Sequence, residues 1–262
     1  MQDKKQLDLI ISLFSNGKVQ EALDQLDPLI KVNPNDAVVF NIRGACYAQI
    51  GEPIMAIKQY EKAVEIDPNY SEAYSNLGIT LQELDELEKA LESFEKAFSL
   101  KPEKIETANT ISTILQEIND PNLSINYYKK IIESSPKLYI VHFNLAIAYQ
   151  ELNFIDEAIN SYKKALNLHP EFLDAYLNLG DIYEDSNQLE DSLMSLERAV
   201  EIDSTNSLAF NNLGVTLKSL NRIDDAVNSF KRAIEIEPDN PQGHFNLGVA
   251  LRSLNKIDDA IR

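Results

Sequence analysis

The chain has 262 residues and a formal net charge of −18, with 44% hydrophobic and 25% charged residues. This composition is typical of a globular protein and excludes general disorder, and the pI near 4.5 argues against general binding to nucleic acid or anionic membranes, which needs clustered Lys and Arg. The single cysteine excludes an intramolecular disulfide framework, and the apolar runs are too short to predict a bilayer-spanning segment.

The N-terminal residues do not read as a secretory signal. Asp8 interrupts the only apolar stretch near the start, and no small-residue cleavage site follows it. We therefore expect a cytoplasmic protein.

Prolines recur along the chain at an interval of 34 residues. Six of the ten prolines lie on this interval, and Ser204 occupies the one vacant position. The six are Pro34, Pro68, Pro102, Pro136, Pro170 and Pro238. A fixed period of 20 to 50 residues indicates a repeat array. The period predicts one domain over 1–262 with repeats at 3–36, 37–70, 71–104, 105–138, 139–172, 173–206 and 207–240, and a partial repeat at 241–262.

Each repeat is predicted to contain two helices separated by a tight turn. Position 15 of the repeat holds Gly, Asp or Asn, the residue types that best tolerate the left-handed conformation that ends a helix. They are Gly17, Gly51, Asp85, Asn119, Asn153, Asn187, Asn221 and Asn255. Acidic residues such as Asp156 and Asp224 then begin the second helix, where they suit its dipole, and the proline at position 32 ends it.

Small and aromatic residues also recur with the period. The third repeat displays the whole pattern: Tyr74, Leu77, Gly78, Leu81, Ala90, Phe94, Ala97 and Pro102. This pattern resembles the tetratricopeptide repeat (TPR) family over almost the whole chain. The resemblance implies an all-α fold, a right-handed superhelical solenoid of antiparallel helix pairs whose first helices line a concave inner face.

Three repeats depart from the pattern, in chain order the first, the fourth and the last. Ile10 replaces the usual small residue at position 8, which suits a terminal repeat. The fourth repeat carries Ser112, Pro121, Ser124 and Ile131 in place of better-suited residues, so we expect it to be locally irregular. The chain stops at Arg262, inside the second helix of the partial repeat. We expect a fragment of a longer protein, or an end that meets another molecule, including a second copy end to end.

No catalytic or metal-binding motif is found. The three histidines, His142, His169 and His244, have no metal-ligand spacing, and Cys46 is expected to be a small buried hydrophobe. No phosphate loop, nucleophile elbow or EF-hand loop is present. Carboxylate pairs recur with the period and so belong to the scaffold. We therefore expect a protein that is not an enzyme and needs no cofactor or metal.

Asparagine recurs at position 6 of the repeat. The members are Asn76, Asn144, Asn178, Asn212 and Asn246, of which the last four are in consecutive repeats. The series resembles the asparagine ladder in the TPR domain of O-linked N-acetylglucosamine transferase, where the amides hold the backbone of an extended peptide. An amide can do this because it both donates and accepts hydrogen bonds. The alternative is that these asparagines only form hydrogen bonds between helices.

By the same resemblance, positions 2, 5, 6, 9, 12 and 13 point into the inner face. Among them are the acidic residues Glu151, Asp181 and Glu184 and the apolar residues Phe143, Leu177 and Phe245. Opposite charge attracts a partner, so we expect an extended protein or peptide ligand that carries Lys or Arg and one or two apolar anchors. The alternative is that the acidic residues only increase solubility.

Three functions follow from this interpretation. We favour a non-catalytic scaffold that binds a peptide or partner protein in the concave groove, with no nucleic acid or membrane as partner. The alternative is the substrate-docking N-terminal arm of a larger transferase-type enzyme, and the third is self-assembly. The TPR carboxylate clamp for chaperone tails is excluded because no Lys occupies position 5 in any repeat.

Overall fold

The computed structural model describes residues 2–254, with side chains from residue 5, and this range contains fifteen α-helices and no β-strand. In chain order the helices are α1 (Gln2–Ser15), α2 (Val19–Val32), α3 (Ala37–Gln49), α4 (Pro53–Ile66), α5 (Ser71–Glu83), α6 (Leu87–Leu100), α7 (Ile105–Ile118), α8 (Pro121–Ser134), α9 (Tyr139–Glu151), α10 (Ile155–Leu168), α11 (Leu173–Asp185), α12 (Leu189–Ile202), α13 (Ser207–Ser219), α14 (Ile223–Ile236) and α15 (Pro241–Ser253). The second helix predicted for the partial repeat, the turn residue Asn255 and the end expected to meet another molecule lie outside the described residues.

The chain forms two compact units, residues 1–136 and 137–262. We call them the first unit, which contains α1 to α8, and the second unit, which contains α9 to α15. Within each unit consecutive helices contact each other, and apolar clusters fill the space between them. The predicted all-α solenoid of helix pairs is confirmed. The division of 1–262 as one domain with the repeat limits given above stays a prediction.

The turn inside each helix pair depends on one left-handed residue, as predicted for position 15. All seven described residues at this position have positive φ, with values of 74° and 77° at Gly17 and Gly51 and 54° to 61° at Asp85, Asn119, Asn153, Asn187 and Asn221. The amide that follows donates back to the first helix, as in Glu86 N to Leu81 O at 3.0 Å. This conformation turns the chain so that the second helix packs against the first.

Replacing Asp85 with glycine is expected to stabilise the protein by about 0.5–1 kcal/mol, because an L-residue is strained at a φ of 61° and glycine is not. The matched control is Gly51→Ala, which introduces the strain at a φ of 77° and is expected to destabilise by a similar amount. Urea denaturation followed by circular dichroism measures both changes. If both substitutions changed the free energy of unfolding in the same direction, strain at position 15 would not explain the effect.

The second helix of each pair ends two residues before the periodic proline, as in α10, which ends at Leu168 before Pro170. The residue that precedes the proline is extended, with ψ of 88° at His169. Helix α12 ends at the same position even though Ser204 replaces the proline, with ψ of 94° at Asp203. Proline is therefore not the sole stop signal. Asn206 also caps the next helix by accepting from Ala209 N at 2.8 Å.

Glycine at position 8 lets the first helix approach an aromatic or leucine side chain of the second. A Cβ built on Gly214 would lie 2.5 Å from Cε1 of Phe230, and one on Gly78 would lie 2.7 Å from Cε2 of Phe94. Phe230 is fully buried and Phe94 almost so. These contacts lie between the two helices of the pairs that carry glycine at position 8.

The fourth repeat is irregular, as predicted. Helix α7 ends at Ile118, one residue later than the other first helices from α3 onward, so that left-handed Asn119 caps it directly. Helices α7 and α8 also contact each other less extensively than α5 and α6 do. Ser112 replaces glycine, and buried Ile131 occupies a position where most other repeats carry buried alanine. Both changes add side-chain volume at positions where smaller residues recur.

Candidate functional site

Hydrogen bonds between neighbouring repeats identify one continuous surface on the second unit. Asn246 Nδ2 donates to Asn211 Oδ1 at 2.9 Å, and Asn212 Nδ2 donates to Asp181 Oδ1 at 2.7 Å. Ser219 Oγ donates to Glu184 Oε1 at 3.3 Å. These contacts join α11, α13 and α15 side by side. We call the surface the ladder face; its residues are Asn178, Asp181, Glu184, Asn211, Asn212, Ser219 and Asn246.

The first unit repeats the same contacts at the same spacing. Asn76 Nδ2 donates to Asn41 Oδ1 at 2.9 Å. The bond from Asn246 to Asn211 has the same length, and in both pairs the two residues are 35 positions apart in the sequence. Gln82 Nε2 lies 3.5 Å from the carboxylate of Glu117. In both units, therefore, the side chain at position 6 of one repeat contacts the side chain at position 5 of the preceding repeat.

Four of the five predicted ladder asparagines therefore hydrogen-bond another helix: Asn76, Asn178, Asn212 and Asn246. Hydrogen bonding between helices is thus one role of these asparagines, and ligand binding by them stays a prediction. Asn212 forms two hydrogen bonds: its Nδ2 donates to Asp181, and its Oδ1 accepts from Asn211 at 3.3 Å. These bonds are compatible with ligand binding. A side-chain amide has two N–H groups and two acceptor positions, so capacity for a ligand remains after each such bond.

Burial limits what three members of the series can offer: Asn178 bonds a buried partner, and Asn144 and Asn246 are themselves buried. Asn178 hydrogen-bonds the hydroxyl of Tyr162, which in turn donates to Gln150 Oε1 at 2.9 Å. The Tyr162 side chain is fully buried, and this burial raises its pKa well above the ordinary value, while the bond from Asn178 lowers it. Asn144 on α9 is 8% exposed. Asn178 is thus fixed by a buried partner. Asn144 and Asn246, which is 6% exposed, each present only a small area to a ligand.

The acidic side chains on this side of α11 differ in their surroundings. Asp181 retains contact with solvent, yet nearby protein atoms displace enough water to raise its pKa to about 6. The negative charges of Asp185 and Glu184 raise it further, and the hydrogen bond from Asn212 lowers it. Glu184 is half-buried, and Glu151 at the end of α9 is exposed. The charge of Asp181 therefore depends on pH in the range in which many proteins are assayed.

Replacing Asp181 with asparagine is expected to raise the melting temperature by about 1–4 °C at pH 7.5, because the folded state no longer holds an unfavourable charge. The sign follows from the raised pKa: the folded protein binds a proton near pH 6, whereas an unfolded aspartate binds one near pH 4. The wild-type protein should therefore gain stability relative to the variant as pH falls from about 7 to about 4. Thermal unfolding of both proteins across this range is the test. If the melting temperatures of the two proteins differed by the same amount at every pH, the raised pKa of Asp181 would not contribute to stability.

The three predicted apolar anchors lie in different environments. Phe245 on α15 is 66% exposed. Phe143 is partly buried and packs against Phe172, with ring centroids 4.7 Å apart. Leu177 is 7% exposed and belongs to the core, so little of its surface can contact a ligand. Leu208, which the sequence reasoning missed, is 54% exposed on α13 and occupies inward position 2.

Asn211 was also missed as a member of the face. Its signal was the recurrence of asparagine at position 5, where Asn41, Asn109 and Asn211 stand. Pairing with position 6 becomes visible only when adjacent repeats are placed side by side.

In residues 2–254 no group of three or more His, Cys, Asp or Glu side chains is arranged to hold a metal ion. None of the helices in this range combines the length and the apolar composition needed to cross a membrane. Cys46 is fully buried, and burial raises the pKa of its thiol to about 11.

Sequence profiles of known families match most of the chain. A profile described as TPR repeat matches residues 151–186 and 216–255. Three further profiles, each described as tetratricopeptide repeat, match residues 59–92, residues 37–70, and residues 105–138 and 173–206. No curated protein matches the sequence.

Several solved structures share the fold. The C-terminal part of a TPR repeat-containing protein from Cytophaga hutchinsonii has a TM-score of 0.69 and 18% identity, covering 92% of this chain and 98% of that one. The structure of Naa15/Naa10 bound to HypK-THB has a TM-score of 0.65 and 16% identity, covering 96% of this chain and 39% of that one. PilW, a type IV pilus biogenesis factor, has a TM-score of 0.55 and 21% identity, covering 80% of this chain and 98% of that one.

Proposed function

Because the chain belongs to the tetratricopeptide repeat family, we propose that it is a non-catalytic protein–protein interaction scaffold whose ladder face binds an extended, basic segment of a partner protein. The observation that carries the proposal is the row of amide and carboxylate side chains joined across α11, α13 and α15. These helices belong to one compact unit.

The amides supply contacts that do not depend on the ligand's sequence. An extended peptide presents alternating N–H and C=O groups, and Asn178, Asn212 and Asn246 each carry both a donor and an acceptor. The bonds between repeats fix the orientation of Asn212 and Asn246 before a ligand arrives. Fixed side chains lose little entropy on binding, which favours affinity.

Charge supplies the preference for a basic ligand. Asp181, Glu184 and Asp185 lie within one and a half turns of α11, and Glu151 ends α9. Desolvation raises the pKa of Asp181 most, and a cationic segment would offset the repulsion from Asp185 and Glu184 that raises it further. Exposed Phe245 and Leu208 offer apolar contact toward α13 and α15. The ligand we propose therefore carries Lys or Arg near α11 and a large apolar side chain near α15.

The proposal agrees with two solved structures of similar fold that contain partner proteins: Naa15/Naa10 bound to HypK-THB, and the APC/C hetero-tetramer Cut9–Hcn1, with a TM-score of 0.54. The asparagine series also resembles the ladder of the O-linked N-acetylglucosamine transferase TPR domain. A peptide bound along the asparagines is what that resemblance implies.

Selection of a random 12-residue peptide library on the whole chain tests the proposal. We expect the retained peptides to be rich in Lys and Arg. Against a fluorescent copy of the most enriched peptide, the variant Asn178→Ala/Asn212→Ala/Asn246→Ala is expected to bind at least about tenfold more weakly, since several hydrogen bonds of about 0.5–1.5 kcal/mol each are lost.

The control is Asn160→Ala, which removes an exposed amide from α10, outside the ladder face. It should bind as the wild-type chain does, and circular dichroism should show that both variants keep their helix content. A triple variant that binds within twofold of wild type would refute the ladder as the binding surface.

A further inference from the structure

A second groove lies on a different side of α11, between α10 and α12. It encloses about 600 Å³, and the residues that matter here are Lys163, Tyr176, Tyr183, Asp191, Met194 and Arg198. Tyr176 and Tyr183 occupy positions 4 and 11 of the repeat, whereas the ladder face uses positions 5, 6, 9, 12 and 13. We call this the Met194 groove. Its size is within the range of sites that enclose small ligands or a few side chains.

The floor of the groove is rigid and its rim is exposed. Tyr183 and Leu179 are 4% and 3% exposed and form the floor. Met194 stands on the rim with 68% of its surface exposed. Methionine is common at surfaces that bind partners because its flexible side chain adapts to different shapes. A buried aromatic floor beside an exposed methionine suits the insertion of an apolar side chain.

Two cations stand on opposite walls. Lys163 Nζ lies 5.6 Å from the centre of the Tyr183 ring and hydrogen-bonds the Tyr183 hydroxyl. Arg198 hydrogen-bonds Tyr176 and pairs with Glu201 at 2.8 Å, an exposed contact of the weak i,i+3 kind. Among the described residues Lys163 forms no ion pair, and the one carboxylate that lines the groove is Asp191. The tyrosines thus hold both cations in place; Glu201 partly offsets the charge of Arg198, and the charge of Lys163 has no ion-pair partner among the described residues.

The scaffold does not require this combination. One repeat later the positions of Lys163, Tyr183 and Met194 are occupied by Glu197, Leu217 and Asn228, while Arg232 replaces Arg198. Asn160 and Asn126 occupy the position of Met194 in the two preceding repeats. Residues needed for the solenoid recur with its period, as Gly214 and Ala233 do. Methionine instead occurs at the position of Met194 in this repeat alone, whereas lysine recurs at the position of Lys163 as Lys129 and Lys231.

We propose that the Met194 groove is a second binding site, which takes a short acidic peptide segment with a bulky apolar side chain. The apolar side chain would lie over Tyr183 beside Met194, and flanking carboxylates would pair with Lys163 and Arg198. The net charge of −18 makes most of the chain unfavourable to an acidic segment. Lys163 and Arg198 together would therefore direct such a segment to this groove. A partner with both basic and acidic segments could then contact two surfaces of one unit.

Fluorescence anisotropy with a labelled Asp-Glu-Leu-Phe-Glu-Asp peptide tests the proposal on the whole chain. We expect saturable binding that the variant Lys163→Glu/Met194→Asn weakens at least tenfold. Both replacements occur at the equivalent positions one repeat later, so the scaffold accommodates them. A peptide with Ser in place of Leu and Phe should bind at least tenfold more weakly to the wild-type chain, because it keeps only the charge.

The variant Asn178→Ala/Asn212→Ala should bind the acidic peptide as wild type does, which separates this site from the ladder face. Absence of binding at millimolar peptide, or equal binding by Lys163→Glu/Met194→Asn, would overturn the proposal without bearing on the ladder face. Sedimentation velocity distinguishes a different occupant: a dimer that dissociates in this variant would make the groove an interface between copies and would also overturn the peptide site.

Discussion

Alanine at Gly214 is expected to destabilise the second unit in the wild-type background but not when Phe230 is also replaced by alanine. The new Cβ would lie 2.5 Å from Cε1 of Phe230, which is fully buried and cannot leave its place freely. Overpacking of this kind costs about 1–3 kcal/mol. Ala146 stands opposite Tyr162 at the same two positions of another repeat, so helices can be spaced for a methyl group, but α13 and α14 are spaced for glycine.

Phe230→Ala alone is expected to cost about 3–5 kcal/mol, the largest loss that we predict, because it leaves a cavity at the centre of the helix pair. In that cavity the methyl group of Gly214→Ala meets no ring, and alanine is favoured over glycine inside a helix by up to about 1 kcal/mol. The second substitution should therefore be neutral or stabilising in the Phe230→Ala background. The two residues are coupled, and their effects do not add.

Hydrogen exchange of the α13 and α14 amides, together with urea denaturation, measures the four proteins of this cycle. Gly243→Ala is the comparison with a milder contact, because a Cβ there would lie 3.1 Å from Cγ1 of Ile234 rather than 2.5 Å from an aromatic ring. The same loss from Gly214→Ala in both backgrounds would show that the ring contact does not set the spacing of the helices.

Reversal of one charge on the ladder face is expected to have the largest effect on binding. Glu184→Lys should weaken the selected basic peptide by roughly 10- to 100-fold, since it replaces an attraction with a repulsion of about 1 kcal/mol or more. Lys218 occupies the equivalent position one repeat later, so the fold accommodates the change. The salt dependence of binding should decrease at the same time, because fewer attractive charges remain to be screened.

Glu197→Lys is the matched control. It changes the net charge by the same amount, at a position where Lys163 and Lys231 stand in the neighbouring repeats, but on α12 rather than on the ladder face. Titrations at two salt concentrations compare the two variants. If both weakened binding equally, net charge rather than the ladder face would select the ligand.

The fold could be predicted from the sequence because its determinants are local and recur. Proline marks the end of every described second helix except α12, where Ser204 replaces it. Gly, Asp or Asn at position 15 predicts a left-handed turn that all seven described residues adopt. Each signal acts within a few residues of itself, so no knowledge of tertiary contacts is needed. The irregular fourth repeat was likewise evident from Ser112 and Ile131, which add volume where small residues recur.

The candidate site could be predicted only in outline. Periodicity indicates which side chains share a face, but the partner of Asn76 or Asn246 depends on the side-chain conformations of two adjacent repeats. Leu177 was expected on the inner face but lies in the core. Position 5 of the repeat lies at the border between the inner face and the core, so its side chain can belong to either. The raised pKa of Asp181 and the Met194 groove depend on how three helices enclose a space, which no single repeat contains.

The amide pairs also bear on how such an array changes length during evolution. Asn76 bonds Asn41, and Asn246 bonds Asn211, so in each case the bond crosses from one repeat to the next. An amide is complementary to another amide in either direction. Duplication or deletion of whole repeats that carry asparagine at both positions would therefore bring two compatible groups together at the new junction. Recombination among such repeats could lengthen or shorten the protein without leaving a polar group there unsatisfied.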